Sequence, residues 1–162
     1  MTERFVVFSH GKDSEPWGSK IAAMAEIARE EGFHVESVDY RDPVHGIPVF
    51  SLYGEVRRPT PAMMSTFDVL LVDLQDVGCR VYTFITTLRY VLEEAARHGK
   101  AVWVLDRPNP IGRPVEGLRL RTGWQSFVGA GPLPMRHGLT LGELARWFVA
   151  TLQLDVECRV VK

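Results

Sequence analysis

The sequence contains only two cysteines, Cys79 and Cys158, among 162 residues. Neither belongs to a CxxC pair nor stands near histidines at ligand spacing, so a disulfide framework and a zinc site both lack their usual pattern. Charge of one sign is also lacking, with 19 Lys and Arg against 20 Asp and Glu, a formal net charge of -1. Nucleic acid and anionic membranes need a concentrated basic face, so neither is an expected partner. No apolar run approaches the ~20 residues of a membrane span. Met1-Thr2-Glu3-Arg4 runs directly into Phe5-Val6-Val7-Phe8, which leaves no room for a charged segment followed by a longer apolar one. As written, the chain reads as cytoplasmic. There is no GxSxG elbow, no GxxxxGK[ST] loop and no GxGxxG after the first apolar run, so serine hydrolase, P-loop NTPase and dinucleotide dehydrogenase lose their main warrant.

What is present is apolar periodicity, with 46% hydrophobic residues, enough for one domain with a sizeable core. Phe5 to Ser9 reads as a strand. Ser19 to Glu31 carries Ile21, Met24, Ala25 and Ala28 at helical spacing and stops at Gly32, as a helix closed by a C-terminal glycine does. Phe33 to Val38 alternates as a second strand. Asp68 to Asp73 is apolar with charged ends, the pattern of a central parallel strand. Tyr82 to His98 is expected as a helix closed by Gly99, Ala101 to Leu105 as a buried strand, Thr140 to Leu152 as a helix with a Thr140/Glu143 capping box, and Val156 to Val161 as a last strand.

Two stretches stay irregular: residues 41–61, read as a rim loop with a short extended piece at Val49 to Leu52, and residues 107–138, with five prolines and six glycines. The alternation predicts a three-layer, Rossmann-like or flavodoxin-like, doubly wound, mostly parallel sheet of about five strands in a single domain.

In such a sheet, ligands sit outside the carboxyl ends of the strands. Those ends deliver Ser9-His10-Gly11, Asp39-Tyr40, Asp73 with Gln75-Asp76, and Asp106-Arg107 with Asn109 to one rim. Paired carboxylates can run glycoside hydrolysis, with Asp73, Asp76, Asp106 and Glu116 as candidates. The plain alternative is that Asp76 or Asp106 pairs with Arg80, Arg107 or Arg113 and fixes a loop; for Asp106 this is the favoured reading. His137, ahead of the last helix, is a sugar-hydroxyl contact or acid-base group, or else a loop-fixing residue. Tyr53, Tyr82 and Trp124 are either sugar-stacking surfaces or packing aromatics.

Several longer runs carry a resemblance. Gly46 to Gly54, Arg58-Pro59-Thr60, Asp73-Leu74-Gln75-Asp76-Val77-Gly78-Cys79-Arg80-Val81-Tyr82-Thr83, Leu105 to Pro110, Val115-Glu116-Gly117 and Met135 to Thr140 resemble, in order and spacing, the exo-β-N-acetylmuramidase (NamZ) family. The resemblance implies release of terminal N-acetylmuramic acid from peptidoglycan fragments, and a cleft between a Rossmann-like domain and a second domain. It also implies a muropeptide or amino-sugar ligand, no cofactor or metal, and a family often exported. It marks Asp76 and Glu116 as catalytic candidates. Tyr53, Gln75, Arg80, Tyr82, Asp106, Arg107, Asn109 and His137 become substrate-binding candidates.

Residues 1–40 depart from that pattern. Where an acidic Glu-His-Gly motif is expected, Ser9 precedes His10-Gly11, and Phe5 to Tyr40 resembles instead the opening βαβ of a small α/β-hydrolase. The expectation is therefore a chimera joined near Tyr40-Arg41: a scaffold of peptidoglycan-hydrolase ancestry, inactive or weak. The alternatives are a glycosidase using Glu55, Asp76 or Glu116 as its acid, and a carbohydrate-binding module. An esterase using Ser9 or Ser51 is the weakest reading. The chain ends at Lys162, short of a second domain, so surface exposed there is a route to homo-oligomers.

Overall fold

The computed structural model describes residues 5–9, 19–38, 50–52 and 55–162. The element order is β1 (Phe5–Ser9), α1 (Ser19–Glu30), β2 (His34–Val38), α2 (Pro61–Met64), β3 (Val69–Val72), α3 (Phe84–His98), β4 (Ala101–Leu105), α4 (Leu141–Leu152) and β5 (Cys158–Val161). The five strands form one sheet in the order β2-β1-β3-β4-β5, and every pairing is parallel. This is the doubly wound architecture expected from the alternation of strands and helices. Its strand order reverses between β1 and β3, the place where such sheets open a crevice.

Alternation along the central strands divides the core between two faces. Leu70 and Val72 of β3, with Val102 and Val104 of β4, pack with Leu88, Leu92, Leu144 and Phe148 of α3 and α4. Val69, Leu71, Ala101 and Trp103 point the other way and pack with Ala25, Ala28 and Phe33. A strand buried on both faces has to be apolar at every position, which is why β3 and β4 read as continuous apolar runs.

The helices obey their sequence signals. Thr140 Oγ1 accepts from Glu143 N–H and the Glu143 side chain accepts from Thr140 N–H, completing the expected capping box; Leu141, Leu144, Ala145 and Phe148 are buried. α3 ends at Gly99 in the left-handed conformation, with Arg97 and His98 in its last turn, where positive charge suits the carbonyl end of the helix. α3 starts two residues later than the expected Tyr82 because Tyr82 and Thr83 belong to the preceding turn, where Tyr82 N–H bonds Cys79 O at 2.9 Å.

The short α2 was not expected. Thr60 caps it and Pro61 occupies its first turn, a start signal concealed among neighbouring prolines. Of the expected extended piece at Val49 to Leu52, residues 50–52 form no strand, and Val49 lies outside the described residues.

Candidate functional site

The chain leaves β3 at Asp73 and β4 at Asp106, and the two loops meet above the carboxyl ends of these strands. Gln75 Nε2 donates to Pro108 O at 3.4 Å and to Asp76 O at 2.9 Å. Asn109 Nδ2 donates to Leu139 O at 3.1 Å, while its Oδ1 accepts from Ile111 N–H at 3.1 Å. Gly78 sits against Asn109 with φ +74, and a Cβ on it would lie 2.5 Å from Asn109 Oδ1. No other residue fits that close approach in a left-handed conformation. Gln75, Asp76, Arg107 and Asn109, all candidates from the sequence, thus line one crevice with Leu74, Thr140 and Leu141, too narrow in this state to take a water molecule. A larger cavity, about 420 Å³, opens at the amino ends of the strands between Asp68, Lys100, Trp103 and Glu157, away from this rim.

Asp76 and His137 are the buried polar pair of the site, 3% exposed each. Asp76 Oδ2 accepts from Gly78 N–H at 2.7 Å and lies 3.2 Å from His137 Nε2. His137 Nδ1 accepts from Leu139 N–H at 3.2 Å, so a neutral imidazole carries its proton on Nε2, facing the carboxylate. The Nε2 to Oδ2 approach has ion-pair distance without hydrogen-bond alignment. Nε2 and Asp76 Oδ1 are therefore buried polar atoms with no hydrogen-bond partner, a costly arrangement that usually marks function or local strain. The loop carrying His137 turns at Gly138, φ +66, where a Cβ would lie 2.2 Å from Arg113 O.

The other carboxylates are tied down. Asp106 was expected, in its structural reading, to pair with an arginine; instead it holds the start of α4, accepting from Thr140 Oγ1 at 2.8 Å and Gly142 N–H at 2.8 Å. Helix N-termini present unsatisfied N–H groups and favour negative charge, which is why the carboxylate settles there. Asp73 is ion-paired with Arg107.

Glu116, largely exposed, meets Arg136 at 3.0 Å, and the two residues form an antiparallel backbone bridge. Glu143 pairs with Arg113 at 2.5 Å; that guanidinium, together with the Thr140 N–H, holds its carboxyl below the usual range. Arg80 donates to Leu118 O at 2.8 Å and Leu133 O at 2.6 Å, so it braces the loop backbone. Tyr82 packs edge-on to Phe84 with ring centroids 4.9 Å apart.

Glu55 and Trp124 are exposed. Tyr53, His10-Gly11 and Asp39-Tyr40 lie outside the described residues. Arg113, expected as a loop-fixing partner of Asp76 or Asp106, pairs with Glu143 instead, and Arg136, which was not singled out from the sequence, pairs with Glu116; partners thirty and twenty residues away leave no local signal. No group of three or more His, Cys, Asp or Glu side chains placed to hold a metal ion occurs among the described residues. Nor is any described helix long and apolar enough to cross a membrane.

The family model described as "Exo-beta-N-acetylmuramidase NamZ, N-terminal" matches residues 25–162. The chain belongs to this family. The peptidoglycan beta-N-acetylmuramidase NamZ of Bacillus subtilis (strain 168) is 47% identical over 124 residues, which cover 76% of this chain and 30% of that protein. Two crystal structures of DUF1343 family proteins from Bacteroides fragilis NCTC 9343 superpose over 98% of this chain. One has a TM-score of 0.76 at 36% identity and is covered over 44% of its own length; the other has 0.74 at 31% identity and is covered over 46%. The chain thus spans about a third of the curated relative and under half of either solved chain.

These findings correct the expected join. The family match begins at residue 25, inside α1, and runs through Tyr40-Arg41 without a break, while the solved relatives match almost the whole chain. A βαβ opening is common to many doubly wound sheets, so the likeness of residues 1–40 to an α/β-hydrolase reflects shared local architecture.

Proposed function

We propose that this chain is the sugar-holding part of a peptidoglycan amino-sugar hydrolase, and that on its own it binds a terminal N-acetylmuramic acid residue with little or no turnover. The ancestry rests on the family membership, and the substrate class on the activity that the Bacillus subtilis relative is named for. The absence of turnover rests on one observation: apart from Asp76, the carboxylates at the described rim already have structural partners, which leaves no free second carboxylate beside it. Asp73 is tied to Arg107, Asp106 to the start of α4, Glu116 to Arg136 and Glu143 to Arg113. Glycoside hydrolysis needs one carboxyl to deliver a proton and a second to serve as nucleophile or base, and a carboxylate spent on an arginine does neither well. Gln75, Asp76, Arg107 and Asn109, with His137 behind them, are the proposed contacts for sugar hydroxyls and the N-acetyl group once the crevice, closed to water as it stands, opens around the ligand.

A second reading is favoured by Asp76 alone. Its Oδ1 is buried with no hydrogen-bond partner, as befits a carboxyl that hands a proton to a leaving oxygen, and Glu116 would then be the second carboxylate. The two readings separate in one assay: hydrolysis of a chromogenic N-acetylmuramic acid β-glycoside by this chain and by its Asp76→Asn and Glu116→Gln variants, beside a binding titration with the same sugar. Sugar binding without release is the expected result. Release that either variant abolishes would establish the second reading and overturn the first, and absence of binding would overturn both.

A further inference from the structure

The loop between β4 and α4 is mostly exposed from Arg113 to Ser126, yet it is fastened from beneath. Arg80 bonds the carbonyls of Leu118 and Leu133, Thr86 Oγ1 donates to Phe127 O at 2.7 Å, and Arg89 donates to Ala130 O. Thr86 and Arg89 belong to α3, which is thus supplying side-chain donors to a surface loop. Leu120 adds an apolar anchor: its N–H bonds Leu133 O at 3.1 Å, and its side chain reaches the spot beside Gly129 where a Cβ would stand, 2.9 Å away. The tip is a turn in which Trp124 N–H bonds Arg121 O at 3.1 Å. A loop held this firmly presents its outward side chains in fixed places, so binding to them loses little conformational entropy.

Those outward side chains share one chemistry. Residues 107–138 contain five arginines and one glutamate, a local excess of positive charge in a chain of net -1. Arg107, Arg113 and Arg136 are ion-paired. Arg119 and Arg121, on either side of the inward Leu120, are exposed and have no ion-pair partner among the described residues. Beside them in sequence Trp124 is 72% exposed, an uncommon exposure for an indole.

We propose that Arg119, Arg121 and Trp124 form a specificity-determining surface for the carboxylate-bearing part of an amino-sugar glycan. This deepens the proposed function and rests on it. The indole face packs on the C–H face of a pyranose ring, and the two guanidiniums take the carboxylate in planar, bidentate fashion. In a peptidoglycan fragment that carboxylate comes either from the lactyl ether of the muramic unit or from the attached peptide.

The test is a titration of the chain, at low ionic strength, with three probes: an N-acetylmuramyl-N-acetylglucosamine disaccharide with its lactyl carboxylate free, the same disaccharide carrying a dipeptide, and neutral diacetylchitobiose. Exposed ion pairs are individually weak and salt-screened, so the expected preference for the acidic probes is about tenfold and fades with added salt. The Arg119→Ala/Arg121→Ala double variant should bind all three at the neutral level, and Trp124→Ala should weaken all three. The lactyl carboxyl of the dipeptide probe is spent in the amide bond, so preference for the free-acid disaccharide alone assigns the lactyl carboxylate, preference for the dipeptide form alone assigns the peptide carboxylate, and equal preference for both shows that the surface takes either. Acid preference that survives the double variant, or neutral binding untouched by Trp124→Ala, would overturn the inference. If sugar binding then still fails in Asp76→Asn, the crevice reading stands without this surface, whereas no binding of any probe removes both.

Discussion

Replacing Asp106 by alanine separates a structural carboxylate from a substrate-binding one. Its two oxygens accept from Thr140 Oγ1 and Gly142 N–H, both at 2.8 Å, and it forms no ion pair with an arginine among the described residues. Each such charge-assisted bond contributes about 1.5–3 kcal/mol, and a negative charge at a helix start adds about 0.3–1 kcal/mol. The contributions overlap, because solvent partly replaces the carboxylate at Gly142, so the net loss for Asp106→Ala is about 3 kcal/mol. A domain of this size loses roughly 2–4 °C of melting temperature per kcal/mol, which gives a fall of about 6–12 °C. Asp106→Asn keeps one acceptor and should lose about half as much. The assay is a thermal melt followed by circular dichroism, paired with a sugar titration below the transition. An Asp106→Ala variant that melts with the parent but no longer binds sugar would refute the capping assignment and return Asp106 to the substrate.

Gly78→Ala should cost about 2 kcal/mol or more, since the left-handed backbone at φ +74 and the 2.5 Å approach to Asn109 Oδ1 both oppose a side chain; a shift in urea midpoint measures it, and an unchanged midpoint would show that the loop relaxes freely. Glu93 lies between Arg89 at 2.7 Å and Arg58 at 2.6 Å. Burial pushes its carboxyl up, but the two guanidiniums outweigh this and leave it below its ordinary value. A depressed carboxyl contributes stability that is complete above the unfolded-state value and is lost as pH falls through the folded one. Glu93→Gln should therefore lower stability at neutral pH and flatten the decline between neutral and acid, read as urea midpoints across that range; an undiminished acid slope would assign the decline to other carboxylates.

The strands and helices were legible because their signals are local. Continuous apolar runs marked β3 and β4, the Thr140/Glu143 box marked α4, and Gly99 closed α3. Four candidates, Gln75, Asp76, Arg107 and Asn109, do meet at one crevice, since the rule that strand carboxyl ends converge depends on topology alone. The role of Asp106 was not legible: its partners, Thr140 and Gly142, come more than thirty residues later, and an aspartate after a strand looks the same whether it caps a distant helix or contacts a ligand. The bracing contacts of Arg80 were not legible for the same reason, because its acceptors are backbone carbonyls that carry no side-chain signature. The likeness of residues 1–40 to another fold misled in a different way, as a strand, a helix and a strand with a polar loop recur wherever a parallel sheet begins.

The strand order also governs how the molecule comes apart. β1 is matched to β2 over five residue pairs and β3 to β4 over four, each across a single intervening segment. β1 meets β3 through Val6–Val69 and Val7–Leu70 alone, at the end of the longest span any ladder in the sheet has to close. Two well-zipped halves are therefore joined by a short seam at the reversal of strand order, one strand away from the crevice between the β3 and β4 loops. Amide hydrogens along β1–β3 should exchange by a partial opening that leaves β3–β4 protected, so the molecule parts beside the crevice while the two strands that carry it stay together.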